Sequence, residues 1–323
     1  MNPAAVVEPL TAVERGCAND PNQRFLAIVN PAAGGGRCGR LAPTAIARLL
    51  AAGVPVDVVH TASAGEATQI ARQEFARGRR RFLAVGGDGT VFEIINGVFP
   101  AAIEDRVTLG LLPLGTGNSF LRDFLPGAGD DVAQCAVQAI ATGRSRRCDV
   151  IRADHSEGTL YYVNLLSVGF AADVAALVNR RFKHFGSFGY LLGVLVRVVA
   201  LRCESFPLNV DPAGGYDTRR CLFLAFSNSK YTGGNMLIAP LADATDGKIE
   251  FVRWGPIGRM GLLWNLPRLF TGTHIHHRLA ERCEVRRVDF CLAAPVDVMV
   301  DGESLRLQLR RLEVLPGALD VLI

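Results

Sequence analysis

The chain has 323 residues, 35 basic against 31 acidic for a formal net charge of +4, and is 49% hydrophobic and 20% charged. That composition suits one large or two ordinary globular domains, and so small a net charge gives no electrostatic ground for nucleic acid, which is not expected as a partner. Eight cysteines without a CxxC or regular spacing exclude a disulfide framework and read as free thiols of a reducing cytoplasm. Residues 1–21 lack periodicity and end in Asn19-Asp20-Pro21, so they are expected to be a flexible extension without the apolar core of a signal peptide. The most apolar stretch, Tyr190 to Leu201, is broken by Arg197 and is too short to span a bilayer. The basic residues are nearly all Arg, with lysine only at Lys183, Lys230 and Lys248. The cluster Arg77 to Arg81 reads as a solvated helix end in preference to a patch for anionic lipid.

Strand-like and helix-like runs then alternate. Phe25–Val29 is an apolar strand. Thr44–Ala52 sets Ile46, Leu49 and Leu50 at helical spacing and stops at Gly53. Val54–Val59 is the next strand, and Ser63 with Glu66 forms a capping box for a helix ending near Gly78. Phe82–Val85 and Val107–Leu112 are further strands, with a helix over Val91–Phe99. Such alternation predicts a parallel sheet with helices on both faces, and ligands at the C-terminal strand ends. Three glycine-rich turns fall there: Asn30–Gly36 (NPAAGGG), Gly86–Thr90 (GGDGT) and Pro113–Asn118 (PLGTGN). Turns of this kind present bare N–H groups at helix N-termini, where phosphate binds.

Asp88 sets the middle turn apart, because a loop that only cradled anions would not hold a carboxylate. A loop that also positions Mg²⁺ on a nucleotide would. Thr90 and Glu93 fit a capping box for the helix that follows, which makes a capping role for Asp88 less necessary. Thr116 and Asn118 offer a hydroxyl and an amide beside the backbone donors, and Asn118 could equally hold its loop together. No GxxxxGK[ST] loop and no HRD or DFG set occurs, and GGDGT fails the GxGxxG spacing.

After about Arg146 the pattern changes. Tyr161–Ser167, Cys221–Ser227, Lys248–Val252, Arg287–Leu292 and Val296–Val300 read as short antiparallel strands. Helical stretches are predicted over roughly Ala171–Leu201 and Pro256–Phe270. Asp246-Gly247 fits a hairpin turn, or with Asp243 a site for a hard cation, and the turn is favoured from the residues alone. Asp301-Gly302 is likewise a hairpin signal, while Asp301 and Glu303 together carry the chemistry of a general base for an alcohol. His274, His276 and His277 lack the spacing of a zinc site and read as a solvated loop. Phe170 to Arg202, apolar with five basic residues around it, reads as a buried helix pair, with a lipid-facing surface as the minority alternative.

Taken in order, these segments resemble the diacylglycerol kinase catalytic family, which also includes sphingosine and ceramide kinases. The resemblance covers nearly the whole chain after about residue 24. It rests on NPAAGGG, GGDGTVFEIING, LGTGNSFLRDF at 114–124, GFAADV at 169–174, GGNMLIAPLADATDGKIE at 233–250 and VDGES at 300–304. It implies an α/β fold: a parallel-sheet nucleotide-binding domain, residues 22–145 plus about 310–323, joined to a β-sandwich-like lipid-substrate domain, residues 146–309. ATP would lie between them, against Asn30, Pro31, Ala32, Ala33, Gly34, Thr61, Gly86, Gly87, Asp88, Gly89, Thr90, Val91, Phe92 and Thr116. Asp88 would help organise Mg²⁺. A structural Mg²⁺ would be held by Asp246, Asp243 and Lys248, so the turn alternative gives way there. Asp301 or Glu303 would be the base.

The activity implied is ATP- and Mg²⁺-dependent phosphorylation of a lipid alcohol, diacylglycerol first. A sphingoid-base or other lipid kinase of the same fold is an alternative, as is a regulator that binds nucleotide or lipid without catalysis. Such kinases often dimerise. The chain is expected in the cytoplasm, with peripheral contact at the inner membrane surface compatible with it. Two positions stand out. Ser119 sits where bacterial diacylglycerol kinases commonly carry Asp, with Arg122 retained. Asp173 sits where sphingosine kinases have an acidic lipid-recognising residue.

Overall fold

The computed structural model describes residues 23–99, 101–124, 132–170, 172, 201–210, 214–233 and 235–323. The first unit alternates strands and helices: β1 (Phe25–Val29), α1 (Arg37–Ala51), β2 (Val56–His60), α2 (Glu66–Ala76), β3 (Arg81–Gly86), α3 (Asp88–Val98), β4 (Val107–Pro113), the one-turn α4 (Ser119–Arg122) and α5 (Val132–Thr142). All five residues of β1 are buried, as a strand covered on both faces requires. Strands β2, β1, β3 and β4 lie side by side and parallel in that order. Apolar residues of the helices, such as Ile46, Leu49, Ile94 and Val98, close the core around them.

The chain continues as β5 (Ser145–His155), β6 (Gly158–Tyr162) and β7 (Leu165–Gly169) into antiparallel structure. The last strand, Leu309–Leu322, joins the two regions. Its C-terminal end, Leu319–Val321, is parallel to β4, while most of its length pairs antiparallel with β5. A register shift between Leu315 and Leu319 marks where it passes from one region to the other.

A second sheet of six strands runs in the order Ala280–Val285, Ile249–Trp254, Phe223–Ser227, β7, Val296–Val300, Glu303–Leu307. All its pairings are antiparallel. Alternation decides what each residue covers. Leu166, Val168, Leu224, Phe226 and Val300 pack inward against Ile151, Val288 and Leu312 of the first sheet, which makes a sandwich. Their neighbours Leu165, Phe223, Ala225 and Met299 face the other way, under Leu262 and Leu269 of the helix Arg259–Thr271.

Several local expectations are corrected. α1 begins at Arg37 and runs through Pro43, well before Thr44. The N-cap of α2 is Gly65 and not Ser63, although Glu66 does reach back to the N–H groups of Ala62 and Ser63, at 2.6 and 3.1 Å. Glu93 does not cap its own helix. It accepts from the N–H groups of Gly65 and Ala67 at 3.0 and 3.1 Å and so caps α2. The run Tyr161–Ser167 is two strands, because the N–H groups of Val163 and Asn164 turn away to bond Asp301. His274 is buried against Trp254, its Nε2 3.0 Å from the Ile238 carbonyl, so that histidine is not in a solvated loop. Burial also lowers its pKa. Residues 173–200, with Asp173 and most of the predicted 171–201 helix, lie outside the described residues. Among the described residues no helix is long and apolar enough to cross a membrane.

Candidate active site

The three glycine-rich turns converge. A Cβ added at Gly34 would stand 2.9 Å from the Leu114 carbonyl oxygen. One added at Gly115 would stand 2.4 Å from the Gly87 Cα. The backbones therefore touch where side chains would otherwise be, and only glycine permits it. The N–H groups of Leu114 and Gly115 both donate to the Gly86 carbonyl at 2.8 Å, which locks the third turn onto the second. Gly34, Gly35 and Gly36 all have positive φ, and Gly35 is open on its Cβ side. Helices α1 and α3 start on Gly36 and Gly87, neither with a side-chain cap. The first N–H groups of α1 donate to carbonyls of its own turn, Arg37 to Gly34 at 3.3 Å and Cys38 and Gly39 to Ala33 and Pro31 at 3.1 Å, so the N-terminus left to take an anion is that of α3.

Around this seat, Asn30 Oδ1 accepts from the Ala32 N–H at 3.1 Å and shapes the turn that carries Pro31 and Ala33. Thr61 is buried at the end of β2, its N–H and hydroxyl both on the Val29 carbonyl. Thr90 is buried and its hydroxyl has no partner. Val91 belongs to the first core and Phe92 packs on the sandwich core, so these two offer the site backbone only. Thr116 is exposed. Asn118 Nδ2 donates to the carbonyls of Pro113 and Gly115 at 3.2 and 3.1 Å, so its amide does hold the loop.

Three carboxylates meet the seat. Asp88, the first residue of α3, accepts from the N–H groups of Ser119 and Phe120 at 2.9 and 3.4 Å, which ties the second turn to α4. Burial raises its pKa, against the pull of those donors. Asp301 and Gly302, with φ of 47° and 88°, form the two-residue turn between Val296–Val300 and Glu303–Leu307. The Asp301 side chain is buried, and its two oxygens accept from Val163, Asn164 and Leu165 N–H at 2.9, 3.0 and 2.9 Å. Burial pushes it up to about 7, opposed by those donors and helped by the charge of Asp88. Glu303, two residues on, is exposed. Its Oε1 lies 2.6 Å from where a Cβ on Gly89 would be. The hairpin thus places one carboxylate inside the fold and the other over the N-terminus of α3.

The segment 240–250 is joined to this site through α4. Asp123, just past α4, accepts from the Lys230 N–H at 2.8 Å, while its other oxygen is buried without a partner. Burial, with a smaller repulsion from Asp243, raises Asp123 to about 6. Asp243 Oδ1 accepts from the N–H and hydroxyl of Thr245 at 3.0 and 2.7 Å. Asp246 Oδ1 accepts from the Lys248 N–H at 2.9 Å. The Lys248 ammonium is paired with Glu284, so only its backbone faces this turn. Among the described residues no three His, Cys, Asp or Glu side chains are close enough to form a metal shell. A cation here would rest on one or two carboxylates with carbonyl and water oxygens, which is how hard cations are often held. The unpartnered Asp123 oxygen and the mutual repulsion of Asp123, Asp149, Asp243 and Asp246 fit such a charge.

Asp149 matches none of the sequence motifs. It is buried in β5, and its oxygens accept from Gly247 and Gly317 N–H, both at 2.7 Å. It therefore fixes the Asp246-Gly247 turn to the last strand. The only sequence signal was a carboxylate inside an otherwise apolar run, Cys148 to Ile151.

Comparison with known proteins adds to this geometry. Residues 24–153 match the family model of the diacylglycerol kinase catalytic domain. Residues 164–323 match that of the YegS C-terminal NAD kinase beta sandwich-like domain. A diacylglycerol kinase of Mycobacterium tuberculosis is 28% identical over 302 residues, 93% of this chain and 94% of that protein. A protein assigned as a YegS-like lipid kinase in Chromohalobacter salexigens is 31% identical over 288 residues, 85% of this chain and 86% of that one. The solved structure of a Bacillus anthracis protein assigned as a diacylglycerol kinase superposes with a TM-score of 0.72 at 25% identity, covering 96% of this chain and 98% of that one.

Proposed function

The chain belongs to the family of diacylglycerol kinases and YegS-like lipid kinases and is a lipid kinase; from that premise we propose that it moves the γ-phosphoryl group of ATP, with Mg²⁺, to a lipid hydroxyl, with diacylglycerol the first candidate. The observation that carries the proposal is the seat itself: three touching glycine turns with the uncapped N-terminus of α3 on one side, and Asp88, Asp301 and Glu303 on the other.

Asn30–Gly34, Thr61, Gly86–Phe92, Thr116 and Asn118 would hold the nucleotide, chiefly through backbone. When bound, ATP supplies the phosphoryl group and Mg²⁺ neutralises its charge, which is where such transfers gain most of their rate. Asp88 would orient the metal. Asp243, Asp246 and the Lys248 backbone would hold a second, structural ion that keeps the turn beside α4 in place. Glu303 is the carboxylate with access to an incoming hydroxyl, and Asp301 is the one whose raised pKa suits proton exchange near neutrality. The Asp301 donor Leu165 also lines, with Ser167 and Met299, an apolar gap of about 30 Å³ under the helix Arg259–Thr271. An acyl chain could occupy that direction only if the helix lifted.

The test is transfer of labelled γ-phosphate from ATP and Mg²⁺ to diacylglycerol, monoacylglycerol, ceramide and sphingosine in mixed micelles, with Asp301→Asn and Glu303→Gln as controls. Label in one lipid that vanishes in the controls supports the proposal and names the acceptor. Label that persists in both controls sinks the assignment of the base. No label in any lipid, with ATP still bound, sinks the acceptor class and points to a regulator.

A further inference from the structure

The helix Arg259–Thr271 is apolar on two sides. Leu262, Leu266 and Leu269 face the six-stranded sheet. Met260, Leu263, Trp264 and Phe270 are exposed, with Trp264 86% and Met260 76% accessible. Positions 260, 263, 264, 267 and 270 form one stripe at helical spacing, and Pro267 completes it without a charge. Leu241 adds to the patch: it is exposed and follows Pro240, whose Cβ is 3.0 Å from where one on Gly272 would be. A folded chain has no internal use for a tryptophan held out in water beside a methionine, two leucines and a phenylalanine.

The charges on the helix and its flanking segments are of one sign. No Asp or Glu occurs between Arg253 and Glu281, while Arg259, Arg268 and Arg278 are exposed along that segment. Exposed bulky apolar groups flanked by arginines, with an indole among them, complement a surface that is apolar within and anionic at its head groups. Both ends of the helix are closely packed: a Cβ at Gly255 would stand 2.8 Å from the Leu222 nitrogen, and one at Gly272 2.8 Å from the Leu237 Cδ2.

We propose that the outward face of the helix Arg259–Thr271 is a docking surface for an anionic bilayer, with Trp264, Met260, Leu263 and Phe270 entering the head-group region and Arg259, Arg268 and Arg278 pairing with lipid phosphates. The choice of occupant rests on the lipid-kinase assignment, since the acceptor of such an enzyme resides in a bilayer. The same helix covers the gap lined by Leu165 and Met299, so docking brings the lipid surface to the element that would have to lift for an acyl chain to enter.

The full chain has two tryptophans, Trp264 and the fully buried Trp254, which gives a direct readout. Emission and sedimentation would be followed with vesicles of phosphatidylcholine alone or with added phosphatidylglycerol, in wild type, Trp264→Phe, Met260→Glu/Trp264→Glu and Arg259→Glu/Arg268→Glu/Arg278→Glu. The expected result is a blue shift with anionic vesicles that Trp264→Phe removes without losing sedimentation. The apolar double variant should bind about tenfold or more weaker, and each reversed arginine should cost at least about fivefold in binding to anionic vesicles at low salt. Binding without any shift of Trp264 overturns the proposal, because another surface is then in use. So does no binding at all. A Trp264 contribution, wild type minus Trp264→Phe, that is already blue in buffer also overturns it, and if that contribution reddens on dilution, a second copy covers the face.

Phosphorylation of a dispersed short-chain acceptor separates the two questions. The apolar double variant should retain it while losing activity on vesicles. Wild type that docks by Trp264 yet phosphorylates neither acceptor would sink the kinase proposal and leave the docking surface standing.

Discussion

The two walls of the seat are made of different material. On the glycine side the working groups are backbone N–H, and, the exposed Thr116 aside, the side chains nearby are absent, buried like Thr90 and Val91, or spent on holding loops like Asn118. On the hairpin side the working groups are carboxylates, and Asp88 and Asp301 are each set in place by backbone donors from another strand or loop. A backbone wall is damaged by adding atoms, and a carboxylate wall by changing one. The two should therefore answer to opposite kinds of substitution, and most of the expected outcomes turn on that contrast.

The largest effects belong to the carboxylates. Glu303→Gln keeps the shape and removes a base, and should lower kcat by about 10²–10⁴-fold, the usual worth of general-base catalysis. Asp301→Asn should lose as much, and in addition leaves one of three buried N–H groups facing an amide in place of an oxygen, at about 1–3 kcal/mol. Single-turnover rates with unfolding curves separate the two effects. Equal turnover in either variant would remove that residue from the proton path.

The pH dependence divides activity from stability. Asp301 stands near 7 in the folded chain against an ordinary 3.8, so the folded state holds that proton more tightly than the unfolded state. Its neutral form is the stabilising one, and that contribution is lost as pH rises through the window from about 4 to about 7. Asp88 and Asp149 are raised as well and act in the same direction. Thermal unfolding should thus occur at higher temperature at pH 5 than at pH 8, with a smaller difference in Asp301→Asn. If Asp301 exchanges the proton, turnover should instead rise with pH up to about 7, and that acid limb should vanish in the variant. A limb that persists in Asp301→Asn belongs to another group.

Asp149→Ala extends the contrast to the acidic segment. It strands the Gly247 and Gly317 N–H groups and should cost about 2–4 kcal/mol of stability, with loss of any Mg²⁺-dependent rise in melting temperature. A melting temperature within a degree of wild type would mean the turn is held by something else.

On the backbone wall, Gly115→Ala must push away the main chain of Gly87, whose Cα stands 2.4 Å from the new Cβ. That should cost about 1–3 kcal/mol and weaken nucleotide binding at least as much as it weakens the fold. Gly35→Ala meets no atom within 4 Å and pays only for its φ of 65°, about 1–2 kcal/mol. Equal loss of nucleotide affinity in both would mean that conformation, and not the contact between turns, makes the seat.

The difference in material also explains what could be read from sequence. Glycine turns after apolar strands have few other uses, so the seat and the parallel sheet behind it were legible. The Asp301-Gly302 hairpin was legible too, but not the parting of its carboxylates, because the donors that bury Asp301 come from residues 136 to 138 positions away. Glu93 matched a local capping pattern and caps a helix 26 to 28 positions back instead. Asp149 gave no pattern at all, its partners lying 98 and 168 positions on. Local chemistry showed where backbone would be bare, while the pairing of side chains depended on contacts the fold alone creates.

Ser119 is where the two walls meet, and it should give the smallest effect. Its N–H is 2.9 Å from Asp88 Oδ2, and its hydroxyl also bonds that carboxylate. Ser119→Ala keeps the backbone donor and should cost about 0.5–1.5 kcal/mol, with kcat reduced several-fold at most. Ser119→Asp sets a second buried carboxylate beside Asp88, where like charges repel and raise each other. Without a cation the variant should melt lower than Ser119→Ala, and added Mg²⁺ should recover more stability in it than in wild type. If Mg²⁺ recovers nothing, no cation sits between these residues, and Asp88 serves to tie α4 to the glycine turn and not to orient a metal.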